Sequence, residues 1–186
     1  MRARLAGFLL LGLLPVACVT PPPAYHIDAP GLHIAIGGDM DVWALNMAQW
    51  GFADASRLHG RPFIAARAAA ALEHLAAQQE TPRWAGMSPI TKMEILTARA
   101  ALRQALGIAP DAPSGPVIAA LLAAAAALHG GDSAAAAGVL GAPFFTFGVE
   151  RTVAILTAMP FLRAANIATM HAGMHNSGPG GAYWSR

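Results

Sequence analysis

The segment from Asp39 to Gln79 places the tightest constraint on the fold, because its apolar periodicity and its one sharp corner admit little besides a helical hairpin. Val42, Leu45, Phe52 and Ala55 fall on one helical stripe, and Trp43, Met47 and Trp50 on a neighbouring one, at the spacing of three to four residues that marks a buried helix face. Asp39 and Asp41 suit the partly positive start of that helix, and Arg57 its partly negative end. The corner is Leu58-His59-Gly60-Arg61-Pro62. Gly60 ends the first helix, and Pro62 opens the second, where its missing N–H would have no intrahelical partner and its fixed φ is already helical. Ile64, Ala68, Leu72 and Leu75 form the inward stripe of the second helix, which must stop before Pro82. Antiparallel pairing about Gly60 predicts Asp54 beside Arg67.

Beyond the hairpin, Pro and Gly keep dividing the chain into helix-length pieces. Ser88-Pro89 opens a third helix with the stripe Ile95, Ala98, Leu102 and Leu106, and Gly107 closes it. Pro116 to Leu128 is apolar on all sides, which predicts a helix at the centre of a bundle. Asp132 or Ser133 caps a short Ala-rich helix, and Phe144-Phe145-Thr146-Phe147 forms an apolar plug or a buried connection rather than a ligand stack. The last helix starts near Gly148, is kinked at Pro160, and turns Val149, Val153, Leu156, Met159, Leu162, Ile167 and Met170 inward. Alternating strand patterns are scarce; Leu32 to Ile36 is an isolated one without a partner. The expected fold is all-α, a single-domain bundle of about five or six helices in antiparallel hairpins. Leu58-His59-Gly60 recurs as Leu128-His129-Gly130, a weak sign of repetition outweighed by the Ala-rich background.

With 186 residues, 55% hydrophobic and 12% charged, the chain suits one packed domain. Its formal charge of +2 comes from Arg2 and Arg4; without them ten basic residues face ten acidic ones. There is no cationic cluster of the kind nucleic acid requires.

Arg2 and Arg4 belong to an export signal. A basic start, the apolar run Leu5 to Leu14 and the small-residue exit Pro15-Val16-Ala17-Cys18 have the order of a cleavable leader, and the run is too short for an ordinary span. Leu14-Pro15-Val16-Ala17-Cys18 resembles the lipobox of bacterial lipoproteins, although Pro15 stands where that family prefers Leu. The resemblance covers about the first twenty residues. It implies cleavage before Cys18, acylation of the Cys18 thiol and new amino group, and attachment to a membrane facing the periplasm, in the outer membrane by the residue that follows the Cys. Cys18 is the only cysteine, so no internal disulfide competes with that role. The expected organisation is a signal peptide over 1–17, a lipidated and Pro-rich tether over 18–38, an all-α domain over 39–175 and a flexible tail over 176–186.

Chemistry is sparse in the domain. His171 and His175 lie one helical turn apart, with Met170 and Met174 on the adjacent face, a donor set that suits copper or zinc in an exported protein. The competing reading is a helix end where His meets the dipole and Met fills gaps. Trp43, Trp50 and Trp84 are the candidate partner-binding residues, with core packing as the alternative. Glu73, Glu94, Glu150 and Asp54 would make an enzyme only if they met in one acidic cleft. No nucleophile elbow, phosphate loop, dinucleotide fingerprint or Cys-His pair occurs. The sequence therefore favours an exported envelope protein with a structural or interaction role, without a cofactor, ahead of a copper or zinc binder and an envelope enzyme.

Overall fold

Ala-rich helices pack closely when their small residues face one another, and the chain uses this at its centre rather than along its most apolar segment. A computed structural model describes residues 39–177. The expected leader, Cys18, the tether and residues 178–186 of the tail lie outside the described residues.

Seven α-helices follow one another among the described residues: α1 (Met40–Phe52), α2 (Pro62–Gln78), α3 (Pro89–Leu106), α4 (Ser114–His129), α5 (Ser133–Leu140), α6 (Val149–Thr157) and α7 (Arg163–Ser177). The protein is an all-α bundle. The described residues contain no strand beyond one isolated bridge between Ile108 and Phe145.

The first hairpin has the expected corner. Gly60 adopts φ +71°, Pro62 is the first residue of α2, and Gly60 N–H donates to Thr157 O at 2.7 Å, which ties the corner to the end of α6. Helix α1 ends earlier than its pattern suggests, at Phe52, and a separate 3-10 turn spans Ala55–Arg57. Asp54 caps that turn by accepting from Ser56 N–H at 2.8 Å, which holds its carboxyl below the ordinary value; Arg67 lies over the Trp43 ring instead of pairing with Asp54. Arg57 still serves the helix end, donating to Trp50 O at 2.8 Å.

Helix α2 is the central element, with α1, α3, α4 and α6 packed around it. Twelve of its residues are buried, including a run from Ala68 to Ala77. By contrast α4, the expected centre, exposes Pro116, Ala119, Ala123 and Ala126 along one side. Hydropathy could not separate the two, because Ala is compatible with both water and core. The side chain of Ala lets neighbouring backbones approach, so the helix richest in buried Ala is the one that can take four neighbours. Gly51 of α1 extends this closeness: a Cβ there would lie 2.8 Å from Ala68 Cβ.

The direction of each pair follows from its contacts. Asp41 meets His74 and Gly51 meets Ala68, so α1 and α2 are antiparallel. Phe63 meets the ring of His129, while Glu73 and Ser114 share Arg103, so α2 and α4 are antiparallel as well. The two Leu-His-Gly corners thus come to one end of the bundle, but not as copies: Gly60 is left-handed, whereas Gly130 has φ −78° and Gly131 takes the positive φ.

Helix α3 has the expected start and stop. Ser88 Oγ accepts from Thr91 N–H at 3.1 Å, Pro89 follows, and Gly107 closes the helix at φ +65° with the Phe147 ring lying where its Cβ would be. Pro160 does more than kink the last helix. Residues 158–162 are non-helical and separate α6 from α7, as expected when a proline both lacks an N–H and crowds the preceding turn.

Candidate functional site

Helix α7 is amphipathic in an unusual sense. Its buried residues are the small ones, Ala165, Ala168, Thr169 and Ala172, while Met170 is 41% and Met174 61% exposed. Ile167 is only partly covered. The expectation that Ile167 and Met170 point inward fails because small residues recur on the opposite stripe, and they permit closer approach to α1 and α3. At Gly173 this approach is tightest, with the Gln49 side chain of α1 occupying the place of a Cβ.

Helix α3 presents a matching face. Its core stripe is Thr91, Ile95, Ala98, Leu102 and Leu106, which turns Ile90 and Met93 outward at 72% and 56% exposure. Gly86 meets His175 and Glu94 meets His171, so α3 and α7 run antiparallel. Between them lies a groove of about 510 Å³ lined by Pro89, Ile90, Met93, Thr97, Ala164 and Ile167, with Glu94 beside them.

The histidines of α7 are committed to different neighbours. His171 Nδ1 lies 2.7 Å from Glu94 Oε2, a partly buried pair that ties α7 to α3, and the ring of His175 packs over Gly86. Met170 and Met174 are exposed and do not line the groove. Among the described residues no group of three or more His, Cys, Asp or Glu is arranged to hold a metal ion.

The three tryptophans occupy three different environments. Trp84 is 3% exposed and belongs to the core, Trp43 is partly buried beneath Arg67, and Trp50 is 42% exposed with the Arg57 guanidinium 5.4 Å from its ring. Trp50→Ala is therefore expected to lower stability by no more than about 1 kcal/mol, the scale of one exposed cation–π contact, in urea unfolding; a loss of several kcal/mol would show that its ring is needed by the core.

The carboxylates do not share a cleft. Glu73 is fully buried in α2 and forms a bidentate pair with Arg103 of α3, at 2.7 and 2.8 Å. Glu94 pairs with His171, Asp54 caps a turn, and Glu150 is exposed in the first turn of α6. The remaining Arg103 donors are taken by Ala109 O, Pro110 O, Ala112 O and Ser114 Oγ, at 2.8 to 3.3 Å, so Arg103 organises the whole Pro-rich connection between α3 and α4. A charge inside an apolar run, as Glu73 is between Leu72 and Leu75, was the available signal for this pair. Its partner could not be named from spacing alone.

The sequence matches no protein-family model, and no curated protein and no solved structure is significantly similar to it. None of the described helices is long and apolar enough to cross a membrane.

Proposed function

We propose that this chain is an exported, lipid-anchored envelope protein whose helical domain holds an amphipathic helix of a partner in the α3–α7 groove. The observation that carries the docking reading is the groove itself, in which the exposed Ile90 and Met93 of α3 meet Ala164 and Ile167 of α7, the helix that covers its alanines and leaves its larger apolar residues at the surface. Clustered exposed apolar side chains cost solvation free energy unless something covers them. Two antiparallel helices with a slot between them fit a third helix laid along that slot, and flexible thioether side chains adapt to its apolar residues. The Cys18 acyl chains would keep the domain at a membrane, where the partner is found.

The anchor is tested by mass spectrometry of the mature protein from native membranes. Added acyl mass at an amino-terminal Cys18, lost with release to the soluble fraction in Cys18→Ser, is the expected result; an unacylated terminus elsewhere removes the anchor. A photo-crosslinking residue at Met93 tests the groove. A discrete adduct is expected from position 93, absent from position 119 on α4 and abolished by Ile90→Glu, a change in the groove lining at an exposed position. Equal adducts from both positions would refute the groove, and a self-adduct of doubled mass would replace the partner helix with a second copy. The copper or zinc reading has its own outcome in the same preparation: metal binding at micromolar concentration that disappears with His171→Ala would favour it.

A further inference from the structure

A second cavity lies at the other end of α3, apart from the groove. It measures about 420 Å³, within the range of small-ligand sites, and is lined by Arg99, Gln104, Ile108, Pro110, Thr146 and Phe147 among others. The walls are braced against each other. Thr146 N–H and Oγ1 both donate to Gly107 O, at 2.7 and 2.8 Å, and Ala109 N–H donates to Phe144 O at 2.9 Å. Phe147 is held between Gly107 and the Arg151 guanidinium, which sits 4.3 Å from its ring centroid.

The charge balance of this cavity is uneven. Arg99 and Arg103 stand one turn apart on α3, and the carboxylate near both, Glu73, gives its two oxygens to Arg103. Arg99 keeps one contact, a 3.3 Å hydrogen bond to Ser114 Oγ, and has no ion pair among the described residues. Burial lowers the Arg99 guanidinium from its ordinary value, Glu73 draws it back up and Arg103 lowers it again. A guanidinium has five donors and stays charged, so most of its hydrogen-bonding capacity is free at the cavity wall. The lining also supplies carbon, from Ile108, Pro110 and the Phe147 ring. A guanidinium in the lining of a largely apolar pocket matches a carboxylate attached to an apolar body.

We infer that the cavity between α3 and the 107–110 and 146–147 segments is a binding site for a small monocarboxylate with an apolar tail, held by Arg99 at its head and by Phe147, Ile108 and Pro110 along its tail. The site goes beyond the docking groove, shares none of its residues, and stands or falls separately from it.

Calorimetric titration of the purified full chain with hexanoate tests the site, with hexan-1-ol and inorganic phosphate as comparison probes. Saturable hexanoate binding is expected, with hexan-1-ol and phosphate each weaker by about tenfold or more, since each lacks one half of the match. Arg99→Gln should weaken hexanoate about tenfold while leaving the melting temperature close to that of the parent. Ala100→Trp, a substitution at an exposed position on the cavity rim, should block binding without entering the core, and keeps the test decisive if Arg99→Gln folds poorly. The inference is overturned if hexanoate shows no saturable binding below ~10 mM, if hexan-1-ol binds as tightly, if phosphate binds more tightly, or if either variant binds like the parent.

Discussion

Arg103→Met is expected to destabilise the domain by roughly 3–5 kcal/mol, the cost of stranding a buried carboxylate without its partner. Glu73 is fully buried and Arg103 is 3% exposed, so water cannot replace the lost guanidinium without opening the interface of α2 and α3. Three backbone carbonyls of the α3–α4 connection, those of Ala109, Pro110 and Ala112, lose their donor in the same step. The double variant Glu73→Leu/Arg103→Met separates the two contributions. It removes the stranded charge but leaves the carbonyls unmet, so it should be more stable than Arg103→Met alone and still less stable than the parent. Equilibrium urea unfolding followed by circular dichroism measures all three differences. A coupling of at least ~1 kcal/mol is expected between the two positions; strict additivity would mean that the pair does not act as a unit.

Ala70→Leu should cost about 3 kcal/mol, whereas Ala123→Leu should stay within about 0.5 kcal/mol of the parent. Both replace an alanine in the middle of an apolar helix, and hydropathy rates them alike. Ala70 is fully buried on the helix that four others surround, so three added carbons must push a neighbour away or force a strained rotamer. Ala123 lies on the exposed side of α4. Thermal and urea denaturation of the two variants would decide whether α2 or α4 is the true centre. Equal losses would restore α4 to the position its composition suggests.

The fold class, the Gly60-Pro62 corner, the Ser88-Pro89 start and the Gly107 stop were legible because each rests on local backbone chemistry that no distant contact overrides. What the sequence hid depends on which side of a helix meets which neighbour. In α7, Ile167 and Met170 are the larger apolar residues, and hydrophobicity alone assigns them to the core; the close approach permitted by Ala165, Ala168 and Ala172 reverses that assignment. The paired histidines were visible at their helical spacing, but Glu94, the group that engages His171, lies seventy-seven residues away. Arg99 carried no local mark at all. Its free donors follow from Arg103 having taken both oxygens of Glu73, a competition that exists only after α2 and α3 have met.

Asn166 of α7 donates its side-chain amide to Phe52 O and Ala53 O, across 114 and 113 residues. These carbonyls end α1, and α7 packs against α1 as well as against α3. During synthesis the first hairpin can therefore form early, while its outer flank and its terminal carbonyls wait for more than a hundred residues to emerge. Until then the Gln49 side of α1, which meets Gly173, must be shielded by some other means, or remain open to wrong partners. The bundle closes like a zip fastened from its last tooth, and its slowest step should be the docking of α7 rather than the formation of any helix.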